Sequence, residues 1–477
     1  MSEASRCQRA AARLLSLAPA AVQAEAKTLQ PLLERLLLCQ LQGREPLQLT
    51  AAELPELTAA AQTALQQLPV VLIEQGAQGA ELWSRRQHHQ QQHLLMDLEQ
   101  RLHQHQGLLL TGGAGTGKTT RVRQLLADER ERQTLLLAPT GKAAARLREA
   151  LSPLPASMQC STLHRALEAN PSGGFGRNQQ RPIDAEVVVV DEVSMVDTQL
   201  MQALLEALPS STRLVLVGDS AQLPPIGGSS VLEPLEQQLK QHRPQLLLQL
   251  ERSHRFNDST ALGGFVQQLR RGSPTAELQQ QLAAGAEHSN LQWWPLQQGW
   301  PLALQQRIEQ HRQRLEQQAH NTALSDAEAL ACLEDLLVLS PRRSGRQGVS
   351  QLNRRWLPLT QREPWHWPAG TPLLVGRNDA SLGLANGDRG LVRPGPQGQE
   401  AVIATAEGPR RLPLELLPCP EPALALTVHK SQGSQAREVI VVLPAGSGLD
   451  RRLLYTALTR AQERLDLLSP PLDSLEA

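Results

Sequence analysis

The sequence predicts an α/β protein with two parallel-sheet cores, a small β insertion in the second, and a helical region at the N-terminus. Three observations carry this prediction. A glycine-rich loop, "GGAGTGKT" (Gly112 to Thr119), follows the short apolar run "LLL" at 108–110. Uniformly apolar runs of strand length then alternate with helical stretches, and the same rhythm resumes after residue 335. Strands that are apolar on both faces belong to parallel sheets covered by helices on each side.

Taken in order, residues 1–82 read as short helices. "RAAARLLSLA", "LQPLLERLLLCQLQ" and "AAELPELTAAAQTALQQL" place Leu and Ala at three- and four-residue spacing, interrupted by Pro and Gly. The run "RRQHHQQQH" (Arg85 to His93) is rich in His. Without Cys or carboxylates beside it, it reads as a solvated helix face or linker rather than a metal site. The first core, 83–250, supplies the strands "LLL" (108–110), "TLLLA" (134–138), "VVVVD" (187–191), "RLVLVG" (213–218) and "LLLQL" (246–250). A helical interval around 257–335 follows and holds the exposed-looking "WWPLQQGW". The second core, 251–477, supplies "LLVL" (336–339), "ALALT" (423–427), "EVIVVL" (438–443) and "RLDLLS" (464–469). Between about 368 and 422, turn residues space the short alternating runs "RGLVRP" and "EAVIATA", which predicts a small, barrel-like β insertion.

Composition narrows the function. With 477 residues, 40% of them hydrophobic, the chain has material for several cores. Lys plus Arg and Asp plus Glu both number 47, so no bulk basic field advertises a polyanionic partner, and any nucleic acid must bind in a local channel. The cysteines, Cys7, Cys39, Cys160, Cys332 and Cys419, are too dispersed for a zinc or iron–sulfur site and are expected as reduced thiols in a cytoplasmic protein. No apolar run reaches the roughly 18 residues of a membrane span, and the N-terminus lacks a secretion-signal core.

The motifs carry the chemistry. Glycines between a strand and a helix let backbone N–H groups close around phosphates at the helix's positive end. Gly112, Gly113, Ala114, Gly115, Thr116, Gly117, Lys118, Thr119 and Thr120 are therefore the candidate ATP cradle. Lys118 is expected to neutralise the β and γ phosphates, and the Thr119 hydroxyl to ligate magnesium. In "VVVVDEVSMVD", Asp191 at the strand end is the second magnesium-holding residue, and Glu192 the acceptor of a proton from the attacking water. "RLVLVGDSAQLPP" brings Asp219 and Gln222 to the same sheet edge, where a neutral amide can sense the γ-phosphate and place the water.

The series "TGGAGTGKTT", "LLLAPTGKAAARL", "STLHRAL", "VVVVDEVSMVD", "LVLVGDSAQLPPIGGS", "LERSHRF", "PLLVGRNDASLGLANGDRG", "ALTVHKSQGSQ" and "LLYTALTRA" resembles, in that order, superfamily 1 DNA helicases. Within them it is most similar to the RecD family, the alpha subunits of exodeoxyribonuclease V. The resemblance spans about residues 83–470. It implies tandem RecA-like domains with ATP and Mg2+ in the cleft between them, and an SH3-like insertion. It also implies that Arg255 and Arg460, carried by the second core, reach the γ-phosphate as arginine fingers. Pro139, Thr140, Thr162, His164, Asn378, Thr427, His429 and Lys430 are by resemblance the residues facing single-stranded DNA or the cleft. Few such contacts are needed to hold a strand, so a neutral chain is compatible with that role.

The resemblance further implies a 5′-to-3′ helicase that works on DNA ends with RecB-like and RecC-like subunits, its N-terminal helices docking on a companion. No nuclease-like carboxylate and Lys cluster stands outside the motifs, so nuclease activity is expected from a partner. Two alternatives stay open: a stand-alone helicase, and a non-translocating subunit switched by ATP. Two departures from the family pattern stand out, Gln435 where Glu is usual and His254 where Tyr is common.

Overall fold

The computed structural model describes residues 3–41, 47–50, 59–68, 70–76, 79–170, 173–225, 228–256, 260–284, 290–359, 363–379, 381–396, 398–405, 407–445 and 450–472. The N-terminal region contains the expected helices, Glu3–Ser16, Ala26–Leu41 and Ala59–Gln67 among them. Residues 51–58 of the third predicted helical run, and Gln42 of the second, lie outside the described residues.

Beside these helices stands an element that the helical reading of residues 1–82 missed. Strands β1 (Leu47–Thr50), β2 (Val71–Gly76) and β3 (Gly79–Ser84) form an antiparallel sheet in the order β1-β3-β2. β1 alternates apolar and polar residues over four positions only, and β2 and β3 do not alternate, so the two-residue period of a strand is not legible there. What stabilises the sheet is burial of Leu49, Val71 and Leu82 against helix residues Leu29, Leu33 and Leu65.

The first core is a six-stranded parallel sheet. It uses β4 (Leu108–Gly112), β5 (Thr134–Ala138), β6 (Met158–Thr162), β9 (Val187–Val190), β10 (Arg213–Gly218) and β11 (Leu247–Leu250), ordered β11-β4-β10-β9-β5-β6. A two-residue hairpin, β7 (Ala169–Asn170) with β8 (Gly174–Phe175), branches off before β9. The all-valine β9 shows why the run had to be uniformly apolar. Val188 and Val190 pack with Leu98 and Leu204 on one face, Val187 and Val189 with Val122 and Leu147 on the other, and none of the four valines is exposed. All six strands point the same way, so the loops carrying chemistry gather at one edge.

The second core is also parallel. It uses β12 (Leu291–Pro295), β13 (Leu336–Ser340), β19 (Ala425–Thr427), β20 (Ala436–Val442) and β21 (Ala461–Ser469), ordered β12-β21-β20-β13-β19. Strand β12 corrects the expectation of an exposed tryptophan segment within a helical interval. Trp293 and Trp294 are half-buried on this edge strand, and their indole N–H groups donate to Ser469 Oγ at 3.0 Å and Asp466 Oδ1 at 2.9 Å. Between β13 and β19 the chain forms the expected β insertion, an antiparallel sheet of β14 (Pro372–Leu374), β15 (Arg389–Gly395), β16 (Gly398–Thr405), β17 (Gly408–Pro413) and β18 (Glu421–Pro422).

The two cores meet edge to edge. Residues just before β20 and β21 lie against loops after the first-core strands. Gln432 Nε2 donates to the Leu223 carbonyl at 3.2 Å, and the Leu223 N–H donates to Thr456 Oγ1 at 2.9 Å. The ends of the first sheet's strands thus face the beginnings of the second sheet's, and a cleft forms between them.

Candidate functional site

The glycine loop leaves β4 and enters the helix Lys118–Leu125. Gly115 and Gly117 have φ of +73° and +85°, and a Cβ on Gly115 would strike the Cβ of Arg255, so both conformation and space require glycine there. Lys118 Nζ donates to the carbonyls of Gly112 and Gly113 at 2.7 and 3.0 Å, which holds the ammonium across the loop.

At the end of β9 the chain bends sharply, with Glu192 at φ +54° and ψ +43°, a left-handed conformation that costs a non-glycine residue about 1–3 kcal/mol. The Glu192 N–H donates to Asp191 Oδ1 at 2.9 Å. Burial, reinforced by the Glu192 charge and opposed by Lys118, pushes the Asp191 carboxyl up to about 7.

A cavity of about 660 Å³ lies between the cores. It gathers most of the residues expected to do the nucleotide chemistry: Ala114 to Thr120 of the loop, Asp191, Glu192, Gln222, Arg255 and Arg460. Gly112 and Gly113 stand behind it as acceptors for Lys118. Gln435 and His254, the two departures from the family pattern, also line it.

Arg460 is 3% exposed and held on three sides. Its Nη2 donates to Gln222 Oε1 at 3.1 Å, its Nε to the Thr456 carbonyl at 2.9 Å and its Nη1 to the Ser434 carbonyl at 3.3 Å. Gln222 Nε2 in turn donates to Asp219 Oδ2 at 3.1 Å. Burial lowers the proton affinity of Arg460.

Arg255 differs from its expected placement. It is carried on the connection directly after β11, a first-core strand, and its neighbours dock on the phosphate loop itself. Ser253 Oγ donates to the Ala114 carbonyl at 2.9 Å, and the His254 N–H donates to the Gly115 carbonyl at 2.8 Å. Only Arg460 arrives with the second sheet. Arg255 Nη1 is buried without a hydrogen-bond partner among the described residues, and burial followed by the nearby charges of Arg460 and Arg146 disfavours its protonated form. Converging arginines of this kind fit a polyanionic ligand.

Two cleft residues escaped the sequence reading. Arg146 lines the cavity from the helix Gly141–Leu151, where Ala143, Arg146, Leu147 and Ala150 form one facing stripe, a spacing that could have flagged it. Tyr455, the chain's one tyrosine, accepts from the Ala114 N–H at 3.3 Å and donates to Asp219 Oδ2 at 3.0 Å. Its position in "LLYTALTRA", five residues before Arg460, was the available signal.

The residues expected to face a DNA strand lie outside this cavity. Thr140, Thr162 and Thr427 each spend their hydroxyl on a local turn, accepting from the N–H of Ala143, Arg165 and Lys430 at 3.2, 3.2 and 3.3 Å. Thr140 also lies beside Gly433 of the second core. Pro139 directly follows β5, and exposed His164 follows β6. Asn378 is exposed in the insertion and accepts from the Asn386 N–H at 2.7 Å. His429 is half-buried, and Lys430 Nζ donates to Glu421 Oε2 at 2.9 Å. The segment 428–435 runs back from the end of β19 to the start of β20, so it connects the Lys430 side with the cleft in a single pass.

The insertion reaches the first core at the same places. Arg165 pairs with Glu407, and Gly141 lies against Asp388. Among the described residues no group of three or more His, Cys, Asp or Glu assembles. The His-rich run lies on the helix Arg85–Gln104, with His88 edge-on to Trp83 at 5.5 Å. No helix among the described residues is long and apolar enough to cross a membrane.

Two family models match the chain, an AAA domain over residues 96–228 and a UvrD-like helicase C-terminal domain over 422–468. The chain is 41% identical over 394 residues to the RecBCD enzyme subunit RecD of Mycolicibacterium smegmatis, a match covering 76% of this chain and 68% of that one. The subunit of the same name from Mycobacterium tuberculosis is 40% identical over 384 residues, covering 75% of this chain and 65% of the relative's own length. A third relative, the ATP-dependent RecD2 DNA helicase of Deinococcus radiodurans, is 30% identical over 376 residues, covering 76% of this chain and 46% of that protein.

Proposed function

The chain belongs to the RecD family, and on that premise we propose that it is an ATP-dependent 5′-to-3′ DNA helicase subunit of a RecBCD-like exodeoxyribonuclease V complex. In this reading it acts in the cytoplasm on DNA ends beside RecB-like and RecC-like subunits, one of which supplies the nuclease. Residues 1–82 are the partner-docking region, 83–250 and 251–477 the two motor domains, and 368–422 the insertion.

The observation that carries the reading is the hydrogen bond from Arg460 Nη2 to Gln222 Oε1, which joins the second core to the first at the wall of the nucleotide cavity. A group held there registers both the γ-phosphate and the distance between the cores, and that is what a motor needs. ATP would lie on the loop Gly112 to Thr120. Lys118, by exchanging its loop carbonyls for phosphate oxygens, and the paired arginines would offset the charge that develops during transfer. Glu192 would take the proton of the attacking water, which Gln222 orients.

Thr119 and Asp191 offer a hydroxyl and a carboxylate on one cavity wall, a hard-oxygen pair that fits Mg2+ with phosphate oxygens and waters completing the shell. Bound there, the ion would neutralise phosphate charge. Burial that favours the protonated Asp191 makes this carboxylate dependent on a neighbouring cation.

Pro139, Thr140, Thr162, His164, Asn378, Thr427, His429 and Lys430 would line the strand's path. Closure of the cleft would move Lys430 relative to Thr140, because residues 428–435 connect the two sites. A stand-alone helicase is the second reading, favoured by a relative that is named an ATP-dependent DNA helicase rather than a subunit.

The test is ATP hydrolysis by the purified chain with and without single-stranded DNA, alongside Lys118→Ala. Stimulation that the variant abolishes is the expected result. Equal turnover in both proteins would overturn the site assignment, and absence of stimulation with or without companion subunits would overturn the motor.

A further inference from the structure

A second cavity, of about 720 Å³, lies at the opposite edge of the second sheet from the nucleotide cleft. Its walls come from the segments that follow the strands: Trp300 after β12, Arg342 and Arg346 after β13, Pro444 after β20 and Pro470 after β21. Arg355, from the helix Val349–Trp356, completes it. Among the described residues three arginines line this space and no carboxylate does. In open parallel sheets the ends of the strands are where ligands bind, and a concave surface with charge of one sign focuses its field on an incoming anion.

The cavity also has a flat, apolar component. The Arg355 guanidinium lies 4.9 Å from the centroid of Trp356 and 5.6 Å from that of Trp300, and the two indoles meet edge to face at 5.6 Å. Trp300 is itself part of the lining. Arginines beside an indole face are the combination with which proteins hold single strands, phosphates on the cations and a base on the ring.

Its position follows from strand register. Ser340, the last residue of β13, is paired with Thr427, the last of β19, so the arginine-bearing loop 341–348 emerges directly beside Thr427 and Lys430. The two are already joined: Glu421 accepts from Lys430 Nζ at 2.9 Å and from Arg343 Nη2 at 3.1 Å. A carboxylate shared by these two cations stands where a phosphate could replace it.

We propose that this arginine and tryptophan cavity is a second subsite for single-stranded nucleic acid, taking the phosphodiester backbone of the strand beyond Lys430 and stacking a base on Trp300. The inference rests on the strand-binding reading above and adds to it a ligand site on the far side of the second sheet.

The experiment measures binding of oligonucleotides of about 6 and about 20 nucleotides, lengths that bracket the usual site sizes of single-strand binders, across a salt series. The proteins compared are wild type, Arg346→Ala/Arg355→Ala, Trp300→Ala and Trp300→Phe. The double variant is expected to bind the short oligonucleotide as wild type does. Its salt slope for the long one should fall by about 1.4, the release expected for two phosphate contacts on a single strand. Trp300→Ala should lose about fivefold or more in affinity for the long oligonucleotide, and Trp300→Phe should restore most of it.

Unchanged slope and affinity for the long oligonucleotide overturn the proposal. A loss that appears only for free ATP, or only in association with a companion protein, overturns it as well by giving the cavity to another ligand. Failure of wild type to bind either oligonucleotide would instead refute the strand-binding reading itself. Circular dichroism of each variant separates a lost site from a lost fold.

Discussion

Tyr455 donates its phenol proton to Asp219 Oδ2 at 3.0 Å across 236 residues of sequence, and the same oxygen of Tyr455 accepts from the Ala114 N–H of the phosphate loop at 3.3 Å. One hydroxyl therefore connects the second core to both the loop and the segment after β10 that carries Asp219 and Gln222. Burial and the Asp219 charge raise the proton affinity of the phenol, so it remains a donor throughout the working pH range.

Tyr455→Phe should accordingly leave the ring packing intact while removing both bonds. Stability should fall by about 1–3 kcal/mol, because buried Asp219 loses a donor. Turnover should fall with it, since the cores lose a fixed contact. Urea unfolding and ATP hydrolysis measure the two effects, and a variant equal to wild type in both would deny the bond any role.

Glu192→Gln should retain ATP binding and lose turnover by about 10²- to 10⁴-fold, the usual contribution of a positioned base. Lys118→Ala should lose at least about 10²-fold through missing charge stabilisation, with weaker ATP binding as well. Nucleotide binding followed by fluorescence, beside steady-state hydrolysis, separates these outcomes. Normal hydrolysis in Glu192→Gln would transfer the base role to another group.

Glu421→Gln should raise affinity for single-stranded DNA, because Lys430 and Arg343 no longer share a carboxylate. Lys430→Ala should lower it, most visibly at low salt, with the salt slope reduced by about 0.7 for one lost phosphate contact. Fluorescence anisotropy across a salt series reads both. Weaker binding by Glu421→Gln would mean that the carboxylate organises the site rather than competing for it.

His311 offers a pH test independent of the nucleotide. It is buried on the helix Leu302–His320, and burial depresses its pKa to about 4, with Arg389 and Arg314 acting in the same direction and Asp335 against it. A histidine depressed in the folded state binds its proton more readily when unfolded. The chain should therefore be most stable above the unfolded value near 6.5 and lose stability as pH falls from there towards 4, by at most about 3 kcal/mol. His311→Leu should flatten that dependence in urea unfolding at pH 7, 5.5 and 4.5. A wild-type profile in the variant would remove His311 as the cause.

The phosphate loop, the Val187–Val190 strand with Asp191 and Glu192, and the β insertion were legible in the sequence because local constraints write them. A loop that closes on phosphates needs glycines at fixed intervals, and a strand buried on both faces must be apolar throughout. The antiparallel strands at 47–50, 71–76 and 79–84 and the edge strand Leu291–Pro295 were not legible. Short segments of this kind become strands only when a partner strand satisfies their backbone.

The chain's own order of residues thus determined which groups are candidates for nucleotide chemistry and on which strand ends they stand. Tertiary structure decided the rest. It mounted Arg255 on the phosphate loop from the first sheet, brought Arg460 to Gln222 from the second, added Tyr455 and Arg146 to the cleft, and placed a basic cavity beside Lys430. Motif spacing reports what one segment can do, whereas which segments touch depends on sheet order and strand register. Those are set by burial of apolar faces between residues hundreds of positions apart.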